Sequence, residues 1–191
     1  RRRQTRLLWD RLRQKSPLIQ VIRGPRQVGK TTSTLQLVEA LLADAGHPRE
    51  SVDTVVCTHL HVDHVGWNTM LVNERWVPTF PKAKYIFHKG EYAFWEEMTK
   101  KGANPPGNVW TYNCRPIVEA GQALLVDDTY QLDDTFSLTP TPGHSPHHCC
   151  VDIRSRGQHA VVTGDMMHHA LQCREPHWST IFDTDKEQAA Q

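Results

Sequence analysis

The sequence lacks any long apolar stretch. No run approaches the ~18 residues that a membrane-spanning helix requires, so no transmembrane helix is expected in it and no membrane partner. The first residues are rich in arginine but lack an apolar core followed by a small-residue cleavage site, so a secretory signal is not expected either. The five cysteines (Cys57, Cys114, Cys149, Cys150 and Cys173) are odd in number and contain no C-x-x-C pair. A disulfide scaffold and a thiolate zinc knot are therefore not expected, and a reducing, cytoplasmic compartment is. Aromatic residues make up only 8% and hydrophobic residues 38% of the 191 positions. That is enough for one domain, or one domain plus a fragment, and bulk disorder is excluded. Internal repeats and low-complexity segments are absent.

What is present is unevenly distributed. The net charge of +1 conceals a basic start and an acidic remainder: residues 1–30 carry +9 and residues 31–191 carry −8. Eleven of the twelve histidines lie beyond residue 50. So sharp a change in composition suggests two pieces of different origin. No nucleic-acid motif or aromatic interleaving accompanies the basic arm. A solvated helix face is its expected role, and a nucleic-acid partner is not expected.

Periodicity predicts a helix over 4–14, a strand over 18–22 and a helix over 31–45 with Gly46 just past its end. A buried strand is predicted at 52–58, a polar loop at 59–66, a strand at 84–88, an aromatic-rich helix at 89–101 and a loop at 102–110. Further strands are predicted at 123–126, 135–139, 149–153 and 160–163, and a helix at 183–191.

Two motifs carry chemistry. The first, Gly24 to Thr31 (GPRQVGKT), fits G-x-x-x-x-G-K-[ST] between a predicted strand and a predicted helix. Gly24 and Gly29 would let the backbone wrap a phosphate. Lys30 would add charge, and the Thr31 hydroxyl would reach the magnesium of Mg-ATP. The segment RGPRQVGKTT resembles the start of an AAA-type P-loop ATPase over about residues 1–42. Leu124 to Asp128 (LLVDD) mimics the acidic strand that such ATPases also need, but it falls in a region that the second motif explains better.

The second motif is the hexapeptide His59-Leu60-His61-Val62-Asp63-His64, directly after the VDTVVCT strand. Four potential ligands in six residues are not needed for packing, because buried imidazoles and carboxylates are costly unless paired or metal-bound. Imidazole with carboxylate suits zinc, with iron or manganese as alternatives. A turn presenting His144 (TPGHS) and a strand end presenting Asp165 (TGD) complete the constellation. Cys57, Cys149 and Cys150 lie on predicted strands and are expected to be buried apolar residues.

These residues resemble the metallo-β-lactamase superfamily over about residues 37–191, through HxHxDH at 59–64, PGH at 142–144 and GD at 164–165. The resemblance implies an α/β fold, an αββα sandwich with the metal site at one edge of its sheets. It implies that His59, His61 and His144 hold a first ion, that Asp63 and His64 belong to a second, and that Asp165 bridges both. It also implies hydrolysis by metal-activated water on a small-molecule lactone, ester or phosphotriester, with Asp63 orienting the water and taking up a proton. Val65 to Asn68 (VGWN), Trp76 to Pro81 (WVPTFP) and Gly164 to His169 (GDMMHH) are similar to the branch containing quorum-quenching lactonases and methyl parathion hydrolase. Tyr92, Phe94, Trp95 and Trp110 are expected either to pack the core or to wall a substrate pocket.

The chain departs from that pattern in two ways. The P-loop segment stands where the family's first strands belong. The branch's last histidine ligand, tens of residues after the GD aspartate, has no counterpart in the 26 residues that follow Asp165. His168, His169 and His177 are the remaining candidates. His147 and His148 are expected to be exposed loop residues. The expected organisation is a P-loop fragment at 1–42 followed by a partial metallo-β-lactamase-like domain at 43–191. The alternative reading is a nucleotide-binding module joined to an inactive metal-binding remnant.

Overall fold

The computed structural model describes residues 39–103 and 108–191. The phosphate-loop residues Gly24, Gly29, Lys30 and Thr31, with the helix predicted at 4–14 and the strand at 18–22, lie outside the described residues. The chain divides into two units, one comprising residues 1–52 with 80–82 and the other residues 53–79 with 83–191. In the described part of the first, residues 39–44 are helical and Gly46 takes φ +85° just beyond, the left-handed cap that the sequence predicts. A 3-10 turn follows at Arg49–Ser51, where the Arg49 guanidinium pairs with Glu39 at 3.6 Å and Glu50 at 3.3 Å.

The second unit holds two three-stranded sheets. In the first sheet, β1 (Thr54–Val56), β4 (Lys84–His88) and β5 (Ala123–Val126) run parallel in the order β1-β4-β5. Strand β4 is central, and all of it is buried except Lys84. That is why KYIFH is a near-continuous apolar run and not an alternating one. The second sheet is antiparallel, in the order β6 (Phe136–Pro140), β7 (Cys149–Ser155) and β8 (Gln158–Val162). Ile86 and Val126 of the first sheet share one buried cluster with Leu138, Cys149 and Val151 of the second. Val56, Tyr130, Leu132 and Phe136 line its margin. This cluster is the inter-sheet core, and Cys149 serves in it as the small apolar residue the sequence suggests.

Two turns follow the rule that two-residue hairpins favour positive φ. Arg156 (φ +51°) and Gly157 (φ +74°) join β7 to β8. Asn73 (φ +47°) and Glu74 (φ +66°) join β2 (Thr69–Val72) to β3 (Arg75–Pro78), a separate antiparallel pair. Asn73-Glu74 lacks the glycine that marks such turns, so this hairpin has no sequence signal.

Helical segments connect the strands. The predicted loop at 59–66 contains one helical turn, α1 (Val62–Val65). The aromatic-rich helix is α2 (Lys89–Lys100). The predicted loop at 102–110 gives way at its end to a π-helical stretch, Trp110–Cys114, and then to α3 (Arg115–Glu119). Pro116 explains the wide turn. It has no N–H to offer the carbonyl four residues back, and that carbonyl, of Tyr112, accepts instead from the Thr69 hydroxyl at 2.7 Å. The C-terminal helix is only α4 (Lys186–Ala189), capped by the Asp185 side chain, which accepts from the Gln188 amide.

Ile86 is 1% exposed at the centre of the inter-sheet cluster. Replacing it with alanine should lower the unfolding free energy by about 3 kcal/mol, the usual cost of a large-to-small core truncation. Urea denaturation measures this, and a midpoint equal to the parent's would show that the two sheets do not rely on this contact.

Candidate metal centre

Three chain segments meet at one edge of the sandwich. The first leaves the C-terminal end of β1 and carries His59, His61, Asp63 and His64. The second is the 141–148 turn between β6 and β7, which carries His144. The third follows β8 and carries Asp165. The Cys149 amide donates to the Thr58 carbonyl at 2.9 Å, which ties the first two segments together where the sheets abut.

The ligand atoms converge. His59 Nε2 lies 3.1 Å from His61 Nδ1, which lies 2.9 Å from His144 Nε2. His64 Nε2 is 3.2 Å from Asp165 Oδ1, and His144 Nε2 is 3.4 Å from Asp165 Oδ2. Asp165 thus spans the two histidine groups with its two oxygens. His59, His61 and His144 form one potential ion-holding set, and His59, His64 and Asp165 form another. Asp63 differs from the other expected ligands. Its side chain is 73% exposed, with Oδ2 3.7 Å from His64 Nε2, and it joins neither set.

The donor chemistry fits a divalent cation. His144 Nδ1 faces Asp183 Oδ1 at 2.8 Å, with both side chains 3% exposed. A carboxylate can only accept, so the ring proton sits on Nδ1 and Nε2 presents a lone pair to the centre. His61 Nδ1, between His59 and His144, can donate to only one of them. At least one lone pair is therefore aimed at other nitrogens unless a cation lies among them. Burial, and then the neighbouring imidazoles, push the His59 pKa far down. Burial and His144 lower that of His61. Neutral imidazoles are the form that binds metal.

Three residues outside the motifs hold these ligands in place. Glu91, wholly buried on α2, accepts from the Leu60 amide at 3.3 Å, the His147 amide at 3.2 Å and Trp95 Nε1 at 2.9 Å. One carboxylate thereby fixes both the HxH segment and the His144 turn. His148 is fully buried, not exposed as its loop position suggests. Its Nε2 accepts the Asp165 amide at 3.1 Å and its Nδ1 faces the Thr141 hydroxyl at 2.8 Å. Burial lowers its pKa to about 4, which keeps the accepting nitrogen unprotonated. Gly164 allows this approach. It takes φ +52°, and a Cβ there would lie 2.6 Å from Thr58 Oγ1 and 2.7 Å from His148 Nε2.

Asp183 is the third. Its segment is strapped to the His144 turn by the Thr184 amide on the His144 carbonyl at 3.1 Å and the Asp185 amide on the Gly143 carbonyl at 2.9 Å. Nothing in the local pattern FDTDKEQ signals this role. The lone acid Glu91 on an aromatic helix face was a weak signal, and the histidine pair 147–148 a partial one.

The aromatic residues divide between the two expected roles. Trp110 is buried edge-on to Tyr92 at a centroid distance of 4.0 Å, which is packing. Trp95 stands edge-on to the His61 ring at 5.5 Å, beside the centre, with Phe94 against it at 5.1 Å. The acids of the LLVDD segment are engaged structurally: Asp127 pairs with Lys89 at 2.8 Å and Asp128 with His88 at 2.9 Å. His88 Nδ1 also accepts the Gly90 amide, so its Nε2 carries the proton given to Asp128 and this cluster is a cap on α2.

Asp183→Asn should weaken zinc binding by about 10- to 100-fold while the fold persists, the usual effect of losing a carboxylate behind a ligating imidazole. Competition against a chelating dye measures it, and an unchanged dissociation constant would remove Asp183 from the centre. A second expectation concerns pH. The folded-state pKa of His148 is about 4, below its ordinary 6.5, and those of His59 and His61 are lowered as well. Below pH ~6.5 the unfolded chain binds more protons than the folded one. Stability of the metal-stripped chain is therefore fully present above pH ~6.5 and lost as the pH falls towards 4. Urea midpoints at pH 7 and pH 5 check this; equal midpoints would mean that these histidines titrate normally.

Comparison with known proteins agrees with this geometry. A family model described as the metallo-beta-lactamase superfamily matches residues 29–190. No curated protein sequence matches the chain. Among solved structures, the hydrolase AbOPH of the beta lactamase superfamily is 28% identical, with a TM-score of 0.67 over 80% of this chain and 54% of that one. A probable metal-dependent hydrolase from Staphylococcus aureus is 23% identical, with a TM-score of 0.67 over 80% of this chain and 52% of that one. AidC, a dizinc quorum-quenching lactonase, is 22% identical, with a TM-score of 0.64 over 80% and 54%. The chain spans about half the length of these structures. With the family match running through every ligand-bearing segment, the chain belongs to the metallo-beta-lactamase superfamily.

Proposed function

We propose that this protein is a zinc-dependent hydrolase of lactone, ester or phosphotriester bonds in a small-molecule substrate, akin to the quorum-quenching lactonase and methyl parathion hydrolase branch of its superfamily. The observation that carries this is the convergence of His59, His61 and His144 nitrogens at 2.9–3.1 Å, with the Asp165 carboxylate set between them and His64. Zinc is the expected metal, with iron or manganese compatible with the same donors, and His59 is common to the two ligand sets. Bound there, the metal would supply Lewis acidity and a water made nucleophilic near neutral pH.

The chain's own residues supply the remainder. His59, His61 and His144 hold one side, His64 and Asp165 the other. Asp63, exposed beside His64, is the carboxylate free to orient water and accept its proton. Trp95 covers His61 and gives the site an apolar wall for a substrate's hydrocarbon part. The division into a 1–42 segment and a 43–191 hydrolase domain belongs to the same proposal.

Hydrolysis of a lactone, a carboxylester and a phosphotriester by the zinc-loaded chain, with and without a chelator, tests the reading. Turnover should disappear with the chelator, return with zinc, and be absent in His59→Ala together with the metal. Chelator-resistant turnover, or unchanged metal content in His59→Ala, would overturn it.

A further inference from the structure

Two adjacent histidines and a third nearby follow Asp165, and the structure separates them. His169 uses Nδ1 to accept the Leu171 amide at 3.1 Å, capping the 3-10 turn Ala170–Cys173. His177 is largely exposed, with its Nε2 3.9 Å from Glu175 Oε2. His168 instead turns towards the centre. Its Nε2 lies 3.3 Å from Asp165 Oδ2, the same oxygen that lies 3.4 Å from His144 Nε2. The His144 and His168 rings are 4.9 Å apart and tilted by 54°. His144, Asp165 and His168 form a third set whose donor atoms lie within 4.8 Å of one another.

The loop that presents His168 is built. The His168 and His169 amides both donate to Gln172 Oε1, at 2.7 and 3.0 Å, and Gln172 Nε2 donates to the Trp178 carbonyl at 2.7 Å. Gln172 thereby fixes the backbone at 168–169, and the His168 ring, three residues after Asp165, lies against that carboxylate. His144 Nε2 is a lone pair, because its Nδ1 proton belongs to Asp183, and Asp165 Oδ2 is an acceptor. Two acceptors and an imidazole nitrogen gathered at one point make a seat for a cation.

Resting on the metal-centre reading above, we propose that His168 is an additional protein ligand of the ion that His144 holds. It joins through the Oδ2 side of Asp165, whereas His64 takes the Oδ1 side. His168 therefore adds a donor beside His144 and Asp165 and does not join the His64 seat.

Zinc and cobalt(II) titrations of the full chain, with a competing chelating dye and X-ray absorption counting of imidazoles per ion, test this. Parent, His168→Ala, His168→Gln and His169→Ala proteins are compared. His168→Ala should weaken the tightest site by about tenfold or more and remove one imidazole from its ion, with His168→Gln showing the same loss. His169→Ala should leave that site as in the parent. Parent-like affinity and imidazole count in His168→Ala would overturn the proposal while the centre itself stands. Recovery by His168→Gln would overturn it too, because glutamine replaces the hydrogen bond to Asp165 and not the imidazole. A parent chain that binds neither metal would overturn the metal-centre reading and this proposal together.

Discussion

The structure depends on keeping several imidazole nitrogens dry, neutral and close together. Three of them lie within 3.1 Å of a neighbour in a region from which water is largely excluded. Burial disfavours the charged form of His59 and His61, and charging both would place like charges side by side. Every neighbouring element serves this constraint. The parallel sheet delivers the HxHxDH segment from the C-terminal end of its edge strand β1, the antiparallel sheet contributes the turn with His144, and the sandwich core lies between the two sheets. A cation placed among the nitrogens would take up their lone pairs directly.

Two carboxylates and a histidine behind the ligands hold this arrangement. Asp183 fixes a tautomer, Glu91 fixes two backbone segments, and His148 fixes the amide of Asp165. None faces the cation seat itself. Their placement determines which nitrogen carries a proton and which carries a lone pair, and that choice separates a metal site from a hydrogen-bonded histidine cluster. The neighbouring His88, Asp128 and His147 group shows the contrast. It has the composition of a metal site, but the Gly90 amide occupies Nδ1 of His88 and so sends the Nε2 proton to Asp128.

The division between what the sequence made legible and what it did not follows the same line. His59, His61, His64, His144 and Asp165 could be picked out because their chemistry lies in residue type and spacing, and the strands that carry them are β-branched runs with clear ends. Glu91, Asp183 and His148 could not, because what each does depends on backbone amides or rings remote in sequence: 31 residues from Glu91 to Leu60 and 39 from His144 to Asp183. The β2–β3 hairpin was missed because Asn73 and Glu74 adopt left-handed conformations without a glycine to mark them. The π-helical turn before Pro116 arises from a missing amide whose consequence is felt only where Thr69 reaches Tyr112.

Asp63 illustrates how motif and geometry divide the work. In sequence it stands among three histidines as their equal. In the structure, α1 begins just before it, and a helical turn rotates neighbouring side chains by about 100° from one residue to the next. His64 is carried towards Asp165 while Asp63 is carried outward to solvent. A solvated carboxylate can exchange protons with bulk water, which a buried ligand cannot do without disturbing the charge at the centre. In the proposed hydrolase the helical turn would separate two tasks within one hexapeptide: holding a cation, which needs burial and fixed lone pairs, and moving protons, which needs access to water.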